Sequence, residues 1–197
     1  MTRYDLAGYL IFAFVTSITP GPNNYMLFAY GKSFGYKDSG KVMAGIFFGF
    51  FTLLYLAGYG IGELISTSQT IGLVFKTISS AWLLYLAVVL SKPITESKDS
   101  SFQKIGFWQA FVLQFVNPKA WIMALSGAGA FMPQFANIHI SVFLFAITFG
   151  LVGIPCMLAW ITFGDVLSRL LKSKRSNRIV GVALFFLMIV SIVMIWL

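Results

Sequence analysis

One cysteine, one histidine and six carboxylates in 197 residues leave this chain without the parts of most protein chemistries. Cys156 has no partner for an intrachain disulfide or a CxxC redox pair, which excludes a membrane thiol oxidoreductase. His139 alone cannot build a metal cluster. The acids Asp5, Asp38, Glu63, Glu96, Asp99 and Asp165 stand in connectors or near the ends of apolar segments, so no carboxylate pair is set for hydrolysis or calcium exchange. A glycine-rich phosphate loop ending in Gly-Lys-Ser or Gly-Lys-Thr is missing too, so the chain does not hydrolyse ATP itself. These gaps predict no catalytic residue, no metal and no cofactor.

Charge is scarce as well, at 10% of residues, where a soluble domain carries about a quarter. What fills the chain is hydrophobic, 58% of it, with a mean hydropathy of +0.86. About 20 apolar residues are needed to cross a hydrocarbon core of about 30 Å. Six stretches qualify, roughly 6–30, 42–64, 71–91, 107–132, 140–163 and 179–197, and the polar connectors between them are too short to fold alone. The chain therefore reads as one all-α integral membrane domain over 1–197. A cleaved signal peptide is a poor account of its start, because the first span outruns a 7–15 residue apolar region and no small-x-small site follows.

The net charge of +8 is not spread evenly. Lys32, Lys37 and Lys41 lie between spans 1 and 2, Lys92, Lys98 and Lys104 between spans 3 and 4, and Arg169, Lys172, Lys174, Arg175 and Arg178 between spans 5 and 6. The opposite side has only Arg3 and Lys76. By the positive-inside rule the three basic connectors are cytoplasmic and both termini periplasmic. The run from Arg169 to Arg178 then faces anionic lipid, and no nucleic-acid partner is expected.

Two spans are interrupted at mid-length, by Thr19-Pro20-Gly21-Pro22-Asn23-Asn24 and by Asn117-Pro118-Lys119. Pro20 and Pro118 are 98 positions apart, and so are the span starts at Val42 and Ile140, which divides the chain into repeats of about 1–98 and 99–197. Three spans per repeat is an odd number, so the second repeat must be inverted relative to the first. The expected architecture is six transmembrane helices in two inverted three-helix repeats, with helices 1 and 4 broken at mid-membrane. Matched breaks in two halves are the sequence feature that points to a transporter's binding site.

Helix-end rules give these breaks a chemistry. Proline lacks a donor and clashes with the preceding turn, so Pro20 and Pro22 should end one half-helix near Ser17 and open another near Pro22, with Gly21 turning the chain. Asn117 and Pro118 read as N-cap and first residue of the second half of span 4. Each break is expected to offer free N–H groups to an anion, while carbonyls of residues 15–19 and 113–116 are freed for an ammonium. Such a site suits a zwitterionic amino acid. Asn23, Asn24, Gln114 and Asn117 gathered at these points need a shared polar environment, whether as ligands or as interhelical hydrogen bonds. Lys119 stands too deep to snorkel out and is either a working group or a lysine bonded to carbonyls of the opposite break. Pro155 reads as a simple kink. Gly45-x-x-x-Gly49 and Gly58-x-Gly60-x-Gly62 are faces for close helix packing, within the chain or at a homo-oligomer seam, and none of the aromatic residues is assigned to substrate.

With Thr19-Pro20-Gly21-Pro22-Asn23 early and Asn117-Pro118-Lys119 at the midpoint, the chain resembles the LysE/RhtB family of amino-acid exporters over its whole length. The double asparagine Asn23-Asn24 and the segment from Phe111 to Asn117 look most like its cysteine/O-acetylserine exporter branch, although Pro118 stands where that branch may carry another residue. The resemblance implies export of small neutral amino acids or derivatives from a bacterial inner membrane, driven by the proton gradient. Substrate would be bound by Thr19, Pro20, Gly21, Pro22, Asn23, Asn24, Gln114, Asn117, Pro118 and Lys119. No acid lies deep in a span, so proton coupling falls to Lys119. The alternative is a membrane scaffold or sensor that docks a partner through its basic connectors.

Overall fold

The computed structural model describes residues 5–60, 69–91, 104–170 and 174–196, and every regular element among them is helical. Helix α1, Leu6–Ile18, is opened by the Asp5 carboxylate, which accepts from Gly8 N at 2.9 Å. It ends one residue later than expected, because Pro20 has no N–H to continue it. Helix α2, Pro22–Phe34, begins with proline at its first position and stops at Gly35, whose φ of 78° is open chiefly to glycine. A 3-10 turn, Lys37–Ser39, leads into α3, Gly40–Gly58. Helix α4 is Gln69–Ser91.

The second half repeats the pattern with a shorter first piece. Helix α5, Phe107–Val112, unwinds through tight turns in which Gln114 N bonds Phe111 O at 3.2 Å and Phe115 N bonds Val112 O at 3.1 Å. Helix α6, Pro118–Phe131, again opens on proline. Helix α7, Ile138–Leu170, continues for 33 residues with Pro155 inside it, and α8 is Lys174–Trp196. Among the described residues, two helices are individually long and apolar enough to cross a membrane: Lys37–Gly58, counted with its 3-10 turn, and Ile138–Leu170. Arg3, Gly62, Glu63, Lys92, Glu96, Lys98, Asp99, Lys172 and Leu197, which entered the charge and glycine readings, lie outside the described residues.

Two sequence placements are corrected here. Span 5 was expected to end near residue 163, but α7 continues to Leu170, so Asp165 lies inside a helix and is buried. It holds Arg169 one turn on through a two-pronged ion pair, 2.8 Å at its shorter arm. His139 belongs to the first turn of α7 rather than to a connector, and its Nδ1 hydrogen-bonds the Tyr59 hydroxyl at the end of α3.

Glycines fix the closest helix crossings. Gly45 and Gly49 of α3 lie against the backbone of α5 at Phe107 and Phe111, so the Gly45 face is a seam within the chain. Gly31 of α2 meets the backbone of Ile161, and Gly164 of α7 meets that of Phe28, a reciprocal contact between α2 and α7. Around these crossings α1 and α2 pack on α7, α5 and α6 pack on α3, and α4 packs chiefly on α8. One buried core joins Tyr9, Leu53, Leu54, Phe145 and Phe149, and a second joins Met26, Leu27, Ile46 and Ile161.

Candidate binding site at the two helix breaks

The two breaks lie beside each other and share their polar groups. Asn23 Nδ2 donates to Gln114 Oε1 at 2.7 Å, and Gln114 Nε2 donates back to Asn23 Oδ1 at 3.0 Å. Gln114 also donates to Ala110 O at 3.0 Å, so this fully buried amide is held from both breaks. Lys119 reaches across from α6, and its Nζ donates to Thr19 O at 2.6 Å, Thr19 Oγ1 at 2.9 Å and Pro20 O at 3.2 Å. An added Cβ at Gly21 would lie 2.6 Å from Lys119 Cδ and 3.1 Å from its Nζ. The backbone of Gly21 is extended, with φ −176° and ψ 176°, a conformation open to any residue, so its lack of a side chain serves the lysine above it rather than a turn.

Carbonyls freed by the first break are occupied from within the chain, and the ammonium that reaches Thr19 O is that of Lys119. Asn24 Nδ2 bonds Ser17 O at 2.9 Å and Thr19 O at 2.6 Å, while Trp160 Nε1 of α7 bonds Ile18 O at 3.0 Å. Val15 O keeps its helical partner, Thr19 N, at 3.1 Å. At the second break Trp121 Nε1 bonds Phe115 O at 2.9 Å. Burying an unpaired amide carbonyl costs roughly 1–3 kcal/mol in proteins, which is why side chains converge here.

The two half-helix starts are not equivalent. Asn117 Oδ1 accepts from Lys119 N at 3.1 Å and Ala120 N at 3.4 Å, so α6 caps itself, as its sequence predicts. Helix α2 has Gly21 at its cap position and no side-chain cap. Only the α2 start thus has uncapped first-turn N–H groups, at Asn23 and Asn24, and the positive end of its dipole faces the break.

A cavity open at its mouth lies against this start. Gly21, Pro22, Asn23, Asn24, Asn117 and Lys119 form the polar part of its lining, with the hydroxyl residues Thr16 and Ser17. Of the other residues expected at the site, Thr19 and Pro20 hold Lys119, Gln114 holds Asn23, and Pro118 opens α6; none of these four lines the cavity. The apolar part of the lining was not read from sequence: Ile46, Phe47 and Phe50 of α3, Met123 of α6, and Gly150 and Met157 of α7. Lys119 is the one ionisable side chain among the lining residues. An anionic group fits beside it, and a cationic one meets a like charge with no carboxylate to offset it.

The pattern that describes LysE type translocators matches residues 14–195, and the chain belongs to that family. It is accordingly an integral membrane transporter and not an enzyme. It is similar to proteins named cysteine/O-acetylserine efflux protein in several bacteria. The Klebsiella pneumoniae protein is 26% identical over 170 residues, covering 86% of this chain and 87% of the relative. Those of Salmonella typhimurium and Shigella flexneri are 27% and 28% identical over 168 and 169 residues, each covering 84% of this chain and 81% of the relative. No solved structure matches.

Proposed function

We propose that the protein is a secondary exporter of small neutral amino acids or close derivatives, cysteine/O-acetylserine-like or threonine/homoserine-like, across the bacterial inner membrane. The observation that carries this reading is Lys119 lying over Gly21 at the uncapped start of α2, beside a cavity whose lining is part polar and part apolar. A substrate carboxylate is favoured there by the lysine charge and by the Asn23 and Asn24 N–H groups. The amine turns to the hydroxyl oxygens of Thr16 and Ser17, which retain acceptor capacity. A dibasic amino acid is disfavoured, since its second charge has no carboxylate partner among the lining residues. A scaffold that docked partners through its basic connectors would have no use for such a cavity.

The transport cycle follows from the packing pattern. Packing of α1 and α2 on α7 is mirrored by that of α5 and α6 on α3, with α4 on α8, as two inverted three-helix repeats require. In this reading α1–α2 and α5–α6 are spans broken at the membrane midplane. Lys119 joins the breaks, and proton coupling is assigned to it, the proton moving inward as substrate moves outward. The basic connectors face the cytoplasm and anionic lipid, and both termini face the periplasm.

Everted membrane vesicles carrying the protein, supplied with an inward-acid proton gradient and labelled cysteine, O-acetylserine, threonine, homoserine or lysine, test the proposal. Accumulation of the neutral compounds, abolished by a protonophore, is the expected result. No uptake above empty vesicles, or uptake of lysine in preference to all of them, would sink it. Topology is tested separately: alkaline phosphatase fused after Leu197 should be active, and an inactive fusion beside an active cytoplasmic reporter at the same place would invert the assignment.

A further inference from the structure

We infer that Phe47, seated on Gly150, sets the length of substrate side chain that the exporter accepts, and that the pocket it closes takes a short uncharged chain. The inference rests on the exporter reading above. If the carboxylate is held at Lys119 and the α2 start, the side chain of the substrate points toward the apolar part of the lining, where α3 and α7 face each other. Two phenylalanines stand there with different surroundings. Phe50 is tied into the core by an edge contact with Phe149, ring centres 5.2 Å apart. Phe47 packs against the second core and against the rings of Phe48 and Phe51, and it also crosses to the facing helix: a Cβ added at Gly150 would lie 2.9 Å from its Cε2 and 3.3 Å from its Cζ.

Only glycine leaves room for that ring tip, so Phe47 and Gly150 act as a matched pair bounding the apolar part of the cavity. Met157 and Met123 beside them are flexible and adapt to what the ring leaves. The wall offers no partner for a charged side chain. A pocket bounded in this way discriminates by volume, and one methylene in such a pocket is worth roughly 10–200-fold in specificity.

The test compares initial uptake of labelled cysteine, leucine and phenylalanine into everted vesicles containing the parent, Phe47→Ala, Phe47→Leu or Gly150→Ala, each normalised to immunoblotted protein. Phe47→Ala should raise the leucine-to-cysteine rate ratio by about tenfold or more. Phe47→Leu, which keeps most of the bulk, should raise it less, and it decides the matter if the alanine variant is missing from membranes. Gly150→Ala pushes the ring inward and should lower the leucine-to-cysteine ratio below that of the parent. Phenylalanine variants that change all rates in one proportion would overturn the inference while leaving the exporter reading intact. A parent that moves none of the three amino acids overturns the inference, and the exporter reading falls with it only if O-acetylserine, threonine and homoserine are refused as well.

Discussion

Lys119→Met should lower export by roughly 30–150-fold, the loss of one charge-assisted contact of about 2–3 kcal/mol, with membrane protein kept within about twofold of the parent. Methionine retains the stem that lies over Gly21 but removes the Nζ that holds Thr19 and Pro20. The carbonyls it abandons belong to Thr19 and Pro20, both exposed residues. Lys119→Arg is the more informative change, since arginine keeps its charge at every stage of a cycle. If Lys119 carries the coupled proton, the arginine variant should exchange substrate across vesicle membranes but fail to concentrate it against a gradient. Full proton-driven export by that variant would remove Lys119 from the coupling role and leave it as an anchor.

The second large effect is expected at the α2–α7 crossing. A methyl group at Gly31 runs into the backbone of Ile161, and one at Gly164 runs into that of Phe28. Neither obstacle is a side chain that can rotate away, so the helices must part. Overpacking of this kind costs roughly 1–3 kcal/mol per site. In a chain of this size that is a fall of about 2–12 °C in melting temperature, read on detergent-solubilised protein. Combining Gly31→Ala with Gly164→Ala should deplete the monodisperse peak on size exclusion. Gly129→Ala is the control, since a Cβ there meets nothing within 4 Å and should leave the melting temperature unchanged or raise it. Equal losses in all three variants would show that the crossing has no special tightness.

What could be read from sequence was what the chain decides locally. Proline at residues 20, 22 and 118 dictates where helices stop and start, and asparagine before proline dictates a cap, so α1 stops, and α2 and α6 start, within a residue or so of expectation, while α2 runs to Phe34, past the expected end near residue 30. The candidate residues were legible because polar groups are conspicuous in an apolar segment, but their partners were not. Nothing near Asn23 in the sequence indicates Gln114, 91 residues away, and nothing near Ile18 indicates Trp160. The difference between the two half-helix starts was hidden for the same reason, since it depends on a cap that one break has and the other lacks. Among 21 phenylalanines, Phe47 is marked only by the glycine opposite it on another helix. Asp165 was misplaced because hydropathy falls before α7 ends: the final turns are polar, yet they continue the helix and bury the carboxylate.

Helix α7 has a mechanical consequence. Its 33 residues, at about 1.5 Å each, make a rod of about 50 Å. Gly153 and Pro155 stand at its middle, and Gly150 and Gly153 border the cavity. Proline removes one rung of the hydrogen-bond ladder, so the rod is weakest where it passes the binding space. A tilt of about 10° at that fulcrum would carry either tip roughly 4 Å, with each arm about 25 Å long by the same rise. One arm ends near the His139–Tyr59 bond and the other near the Asp165–Arg169 pair. A small change of shape around the ligand would then be felt more widely at the two ends of α7 than at the cavity itself.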